Sequence, residues 1–100
     1  MTKILLICSA GMSTSMLVRK MQNAATEANI EAEIWAVGDA DKSLNVPKAD
    51  VILLGPQVRF MKANIEAMVE GKKPVMVIDM AAYGSMNGKK VLESALAALN

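Results

Sequence analysis

The sequence predicts an α/β fold: a single open four-stranded parallel sheet, in strand order 2-1-3-4, with helices on both faces. Two observations predict it. Apolar segments alternate with amphipathic segments four times along the 100 residues, and the apolar segments are hydrophobic at successive positions, as in strands buried on both faces. The length is that of one compact domain, so residues 1–100 are expected to form a single domain.

The first half of the chain contains two strands and one long helix. Residues 3–7, Lys-Ile-Leu-Leu-Ile, form a short apolar run that predicts a strand buried on both faces. Apolar residues then recur at helical spacing, which predicts an amphipathic helix over about 14–29 with Ser13 or Thr14 as its N-cap. Residues 30–37 alternate between an apolar and a half-polar face, which favours an edge strand over a central one.

The second half repeats the alternation. Residues 38–48 contain turn-forming side chains and are expected to form a loop or one short helix. A buried strand follows at 50–55. Met61, Ile65, Met68 and Val69 then mark a helix that ends near Gly71, and Met61 and Met68 are expected to pack in the core. Residues 74–79 predict the fourth strand, and a last helix with one apolar face follows the Tyr-Gly pair after it.

The strand order creates one special place in such a sheet. The direction of the crossovers reverses between the first and third strands, and the reversal opens a crevice at the carboxyl ends of the strands, where ligands bind. Cys8 ends the first strand, and Gly55-Pro56-Gln57 follows the third. We expect both to lie at this crevice.

Composition excludes several classes of function. The formal charge is +1 with basic and acidic residues spread along the chain, which argues against nucleic acid as a partner. Histidine is absent, so any mechanism that needs an imidazole of this chain is excluded. A single cysteine fits a reducing cytosol, and no membrane span or secretory leader is visible, so a cytoplasmic location is expected. No metal or organic cofactor is expected.

Cys8 is the candidate nucleophile. A Gly/Ser loop follows it, and the backbone amides of such a loop can form an anion nest that adjoins a helix N-terminus. Thiols in such settings have pKa values of about 3.5–7.5, against about 8.5 when free. The same amides would bind a phosphoryl group on sulfur, with hydroxyls as further donors; the loop comprises Ser9, Ala10, Gly11, Met12, Ser13, Thr14 and Ser15. A lone cysteine is otherwise commonly a small buried apolar residue, and it is the position of Cys8 that favours the nucleophile.

The loop differs from two better-known phosphate loops. No Gly-Lys-Ser/Thr follows Cys8, so it is not a nucleotide-binding loop of Walker type. Cysteine phosphatases have an arginine six positions after the cysteine, which binds phosphate and stabilises the transition state, and Thr14 stands there in this chain. The loop is therefore suited to hold a phosphoryl group and poorly suited to hydrolyse it.

With these motifs the chain resembles a known family. Cys-Ser-Ala-Gly-Met-Ser-Thr-Ser after an apolar strand, Leu-Leu-Gly-Pro-Gln at 53–57 and Val-Ile-Asp with a later Tyr-Gly resemble the lactose/cellobiose-type enzyme IIB. This is a cytoplasmic component of the bacterial phosphoenolpyruvate-dependent sugar phosphotransferase system. The resemblance covers nearly the whole chain and implies one enzyme IIB phosphocarrier domain with a phosphocysteine intermediate at Cys8.

The resemblance also implies partners and an activity. Cys8 would take phosphate from a histidine of enzyme IIA and pass it to a sugar bound by the membrane-embedded enzyme IIC, with which the chain would associate transiently at the inner face of the membrane. The chain would thus be a component of a protein-phosphohistidine–sugar phosphotransferase. The sugar is expected to be a β-linked disaccharide such as cellobiose, chitobiose or lactose.

Five residues have open roles. Asp79 is the best candidate for a general acid, but capping the following turn or shaping the site electrostatically is the favoured role because the phosphatase arginine is missing. Gln57 and Tyr83 could line the rim of the site or contact a partner, or be ordinary loop residues. Met12 and Met16 could dock a partner, although Met16 could instead be core.

Two other functions compete with the carrier. The first is a low-molecular-weight cysteine phosphatase or arsenate-reductase-like enzyme that uses Cys8 as nucleophile and Asp79 as acid. The second is a non-catalytic regulatory module that binds partners through the Met12 loop. Phosphate turnover and the effect of replacing Cys8 distinguish the three.

Overall fold

In the computed structural model, which describes residues 1–9 and 14–99, four parallel strands form one sheet in the order β2-β1-β3-β4. The strands are β1 (Thr2–Cys8), β2 (Ala32–Gly38), β3 (Val51–Leu54) and β4 (Val75–Val77). The predicted fold class, the strand order and the edge position of the second strand are confirmed.

The helices are α1 (Ser15–Glu27), α2 (Lys42–Asn45), α3 (Lys62–Met68), α4 (Met80–Gly84) and α5 (Gly88–Ala98). The sequence predicts α1, α3 and α5, and the expected loop or short helix at 38–48 contains α2 between two 3₁₀ turns. It does not predict α4, whose five residues are too few to show a helical period. No helix in the described part of the chain is both long and apolar enough to span a bilayer.

The central strand β1 explains why the sheet is covered on both sides. Ile4 and Leu6 contact the core formed with α1 and α5, whereas Leu5 and Ile7 contact the core formed with α3. Side chains alternate across a strand, so consecutive apolar residues need an apolar layer on each face. The apolar run in the sequence therefore places helices on both faces.

One core assignment was wrong. The sequence predicts that Met61 and Met68 pack in the core, but Met68 is 39% exposed while Met61 is buried. Ile65 and Val69, which mark the same helix in the sequence, are buried. The buried row thus continues at i, i+4 and i+8, which is one side of a helix, and Met68 lies beside it.

Helices α1 and α5 lie against each other on the same face of the sheet, and their contact includes Gly88, the first residue of α5. A Cβ atom at Gly88 would lie 2.5 Å from the carbonyl carbon of Lys20 and 2.6 Å from the amide nitrogen of Met21. Both atoms belong to the backbone of α1, so the two helices can approach this closely only because residue 88 has no side chain.

Candidate functional site

Cys8 lies at the switch point of the sheet. It is the last residue of β1, where it pairs with Gly38 of β2. On the other side, Gly55 follows β3 and its N–H donates a hydrogen bond to the carbonyl oxygen of Ile7 at 2.9 Å. Cys8 is therefore flanked by a glycine of β2 on one side and by the glycine directly after β3 on the other. The predicted meeting of Cys8 with the Gly55 segment at the carboxyl edge of the sheet is what the structure shows.

The sulfur of Cys8 receives a hydrogen bond from Thr14. The Thr14 hydroxyl donates to Sγ at 3.5 Å, and both residues are fully buried. Thr14 occupies the N-cap position of α1 but makes no side-chain capping hydrogen bond. The prediction that Thr14 is the N-cap residue is confirmed, but its side chain points at the sulfur and does not cap the helix. A hydroxyl donor in this place favours the thiolate over the thiol.

The structure describes some of the other loop residues and not the rest. Ser9 and Ser15 are exposed at the two ends of the loop. Ala10, Gly11, Met12 and Ser13 lie outside the described residues, so the anion nest and the docking role of Met12 stay predictions. Met16, at the start of α1, is 57% exposed, which excludes the alternative that it is core.

Asp79 caps a helix. Its Oδ2 accepts a hydrogen bond from the backbone N–H of Ala82 at 3.0 Å, at the N-terminus of α4. This is one of the roles that the sequence left open.

Gln57 and Tyr83 are hydrogen-bonded to each other. The side-chain Nε2 of Gln57 donates to the hydroxyl oxygen of Tyr83 at 3.2 Å. The sequence leaves open whether each of them lines the rim, contacts a partner or is an ordinary loop residue, and a contact between residues 26 positions apart leaves no local pattern. The hydrogen bond joins the segment after β3 to helix α4.

The two arginines of the chain are both on the surface. Arg19 lies on α1 and Arg59 on the 3₁₀ segment after β3, and both are exposed. Thr14 is fully buried at the place that an arginine has in cysteine phosphatases. The loop thus carries a neutral hydroxyl where those enzymes carry a guanidinium.

A prediction follows for Thr14. Replacing it by valine keeps the shape of the side chain and removes the donor to Sγ, so we expect the rate at which Cys8 is phosphorylated to fall about tenfold, the equivalent of ~1.5 kcal/mol for a hydrogen bond to a charged group. The rate of Cys8 alkylation by iodoacetamide at neutral pH should fall in parallel. Thr14→Ser keeps the hydroxyl and is the matched control; equal rates in the valine and serine variants would contradict the role of the hydroxyl.

A groove of about 880 Å³ lies elsewhere, between α1 and α5. Apolar and charged side chains line it together, among them Lys20, Glu27, Leu92 and Glu93. Met16 borders it, whereas Cys8, Thr14, Gln57, Asp79 and Tyr83 do not contribute to it. The groove is a feature of the helix surface and not of the Cys8 site.

Fold and site together define a class of protein: a small open α/β domain with a cysteine at the end of its first strand, at the switch point. The family model described as the lactose/cellobiose-specific IIB subunit of the PTS system matches residues 3–94. The chain belongs to this family, as its motifs suggest. EIIB components are phosphotransferase components of sugar transport that work with other components of the phosphotransferase system.

Several relatives are similar over nearly their whole length. The oligo-beta-mannoside-specific EIIB component of Bacillus subtilis (strain 168) is 50% identical over 97 residues, which are 96% of this chain and 94% of that protein. The cellobiose-specific EIIB component of Lactococcus lactis subsp. lactis is 48% identical, over 92% of this chain and 91% of that protein.

Solved structures agree in fold. The cellobiose-specific phosphotransferase IIB component from Borrelia burgdorferi has a TM-score of 0.81 at 45% identity, covering 99% of this chain and 92% of that one. The lactose-specific IIB domain from Streptococcus pneumoniae has a TM-score of 0.89 at 17% identity, covering 99% of this chain and 98% of that one. The second likeness concerns the fold alone.

Proposed function

We propose that this chain carries a phosphoryl group on Cys8, taken from a phosphohistidine of enzyme IIA and passed to a sugar bound by enzyme IIC. The observation that carries the proposal is the place of Cys8 at the switch point with a hydroxyl donor, Thr14, on its sulfur. The family supports it, because EIIB components are phosphotransferase components.

The transfer takes place in two displacements. The Cys8 thiolate attacks the phosphorus of the donor in line; the S–P bond forms, the P–N bond breaks, and the electron pair returns to the donor imidazole. A hydroxyl of the sugar then attacks the phosphocysteine, the S–P bond breaks, and the thiolate leaves while the hydroxyl proton passes to solvent or to the transporter. The loop amides at 9–14 would hold the equatorial oxygens in both steps, and neither step calls for a metal.

The donor must supply the imidazole because this chain has no histidine. It must also reach a sulfur that is buried in the described structure. Since β1 packs between two helical layers, we propose that the phosphoryl group reaches Cys8 from the side of the loop at 9–14. Exclusion of water from the same sulfur would protect the thiophosphate between the two transfers.

The missing arginine makes this a carrier and not a hydrolase. A phosphatase needs a charge that stabilises the attack of water on the phosphocysteine, and Thr14 is neutral and buried. Asp79, the acid that the alternative requires, is engaged as the cap of α4. Thr14 and Asp79, the two residues that distinguish a carrier from a phosphatase, therefore both favour the carrier.

Partner contacts are proposed at the carboxyl edge around Cys8. Met16 at the start of α1, Phe60 in the 3₁₀ segment after β3 and Met80 at the start of α4 are 57%, 78% and 65% exposed. Exposed apolar side chains near a reactive group are typical of transient interfaces. The sequence analysis names Met16 as a possible docking residue. It does not name Phe60 or Met80, because the exposure of a side chain in so short a segment cannot be recognised from the local sequence.

The relatives bear on the sugar and the location. The relatives described above are named for oligo-beta-mannoside and cellobiose, and we propose a β-linked disaccharide such as cellobiose, chitobiose or lactose for this chain. Choice among these belongs to enzyme IIC, which binds the sugar. We propose that the chain works in the cytoplasm, between enzyme IIA and the inner face of enzyme IIC, and associates with the membrane only through enzyme IIC.

Phosphate turnover tests the proposal. Mixing the protein with excess phosphorylated enzyme IIA should label it with one phosphate per chain and then stop, because hydrolysis lacks its stabilising charge. With p-nitrophenyl phosphate, a phosphotyrosine mimic, no sustained release of phosphate is expected. Many turnovers of either phosphate source would instead identify a hydrolase, and no labelling at all would favour a regulatory module.

A further inference from the structure

The pair of Gln57 and Tyr83 adjoins Cys8 across Gly55. A methyl group placed on Gly55 would lie 2.9 Å from Oε1 of Gln57 and 3.7 Å from Cβ of Cys8. The side-chain amide of Gln57 and the side chain of Cys8 therefore lie on either side of the space that a Cβ atom at Gly55 would fill. With Gly55 at this place, the amide and the cysteine can approach each other without an intervening side chain.

In the structure, the side-chain oxygen of Gln57 faces Gly55, the residue that adjoins Cys8. Oε1 points toward the Gly55 side, and Nε2 donates to the Tyr83 hydroxyl at 3.2 Å. A phosphoryl group on Sγ would bring two negative charges to that side, and a carbonyl oxygen facing them is repelled. Rotation of the amide by a half turn would present Nε2, a donor, to the phosphoryl oxygens instead.

Tyr83 can serve either orientation. A phenolic hydroxyl both accepts and donates a hydrogen bond, so it accepts from Nε2 in the present arrangement and would donate to Oε1 after rotation. The hydrogen bond between Gln57 and Tyr83 is therefore kept in both states. The amide changes its direction without losing its partner, which makes the cost of rotation small.

The two residues differ in freedom. The Tyr83 side chain is half-buried and packs against the core on the α1/α5 side, and it belongs to α4, which Asp79 caps through Ala82. Gln57 is exposed. Packing therefore holds the Tyr83 side chain in place, whereas the exposed amide of Gln57 can rotate while it stays hydrogen-bonded to Tyr83.

We propose that Gln57 binds the phosphoryl group on Cys8 through Nε2 after its amide has rotated, and that Tyr83 is the positioning residue that holds the amide in both states. This inference rests on the proposed phosphocysteine. In this proposal Gln57 contacts the phosphoryl group and Tyr83 positions Gln57. Asp79 acts indirectly, by capping the helix that carries Tyr83.

Nuclear magnetic resonance of ¹⁵N-labelled protein observes the amide directly. We expect the two side-chain N–H signals of Gln57 to shift when the protein is phosphorylated by enzyme IIA, while those of Asn64, an exposed amide on α3, stay in place. Mass spectrometry of the same sample reports whether Cys8 carries phosphate. Phosphate on Cys8 with unmoved Gln57 signals overturns the inference alone, whereas absence of phosphate on Cys8 overturns the proposed function.

Substitutions measure how much the contact contributes. Gln57→Glu keeps the shape and replaces the donor by a carboxylate, so the equilibrium between phosphohistidine donor and phosphocysteine should move toward the donor by about tenfold or more. Asn64→Asp makes the same change of charge at an exposed residue of α3 and should leave that equilibrium unchanged. Equal behaviour of the two variants contradicts the contact.

A double-mutant cycle separates positioning from a merely structural role. Tyr83→Phe should lower the phosphocysteine population in the wild-type background, because Gln57 loses its partner in both orientations. In the Gln57→Ala background the same change should have no further effect, since nothing remains to be positioned. Additive effects of the two substitutions would show that Tyr83 does not act through Gln57.

Discussion

Replacing Cys8 by serine is expected to abolish phosphoryl transfer to sugar and to leave the fold intact. The serine side chain is slightly smaller and fits the buried place at the end of β1. A serine hydroxyl is not ionised at neutral pH and needs a base to become a nucleophile, and a chain without histidine offers no imidazole for that purpose. The measurement is phosphoenolpyruvate-dependent phosphorylation of cellobiose in a system reconstituted with enzymes IIA and IIC.

Two controls define what this loss means. Ser94→Ala changes an exposed residue of α5 and should retain full transfer. Circular dichroism and thermal unfolding of the Cys8→Ser protein should match those of the unchanged chain. Transfer at the normal rate with serine at position 8 would show that the phosphate travels on another residue, and the carrier assignment would then be wrong.

Replacing Gly88 by alanine is expected to lower the free energy of unfolding by about 1–3 kcal/mol, the usual cost of forcing an extra methyl group into a packed contact. The added Cβ would lie 2.5 Å from the carbonyl carbon of Lys20, a backbone atom that can move only if α1 moves with it. Each kcal/mol lowers the Tm of a domain of this size by roughly 4–8 °C. Urea titration with an unchanged m-value measures the effect as stability.

Gly84 offers the matched comparison. It is the last residue of α4, and a Cβ there would meet nothing within 4 Å. Gly84→Ala should therefore leave stability unchanged or raise it by about 0.5 kcal/mol, through the lower entropy of the unfolded chain. If Gly88→Ala were as stable as Gly84→Ala, the close approach of α5 to α1 would not be a real constraint on position 88.

The sequence predicts the main elements of the fold because their patterns are strong and local. The apolar run in β1 and the helical spacing in α1 each extend over several residues, and the half-polar alternation of β2 marks an edge. Strand order then follows from the alternation of strands and helices and from the handedness of crossovers. Placement of Cys8 at the switch point follows from that order alone.

The contacts around Cys8 could not be predicted in the same way. The direction of the Thr14 hydroxyl depends on whether it caps α1 or turns to the sulfur, and both choices fit the same residue at the same position. The hydrogen bond of Gln57 to Tyr83 depends on α4, a helix too short to leave a periodic signal. Such contacts are set by tertiary packing between distant segments.

The same reason applies to Gly88. A glycine near the start of a helix is compatible with several local roles, and only the packed structure shows that the backbone of α1 lies 2.5 Å from the place of its missing Cβ. Local patterns determine elements, whereas close approaches between elements depend on the whole fold.

The central claim is that the sulfur of Cys8 carries the phosphate between two partners, and locating that phosphate tests it most directly. The protein is phosphorylated by enzyme IIA, digested under mild conditions and analysed by tandem mass spectrometry. The account predicts a single phosphate, on the peptide that contains Cys8 and bonded to its sulfur, which disappears when the sugar and enzyme IIC are added. A phosphate on a serine, threonine or aspartate, or a phosphocysteine that the sugar system does not discharge, would contradict it.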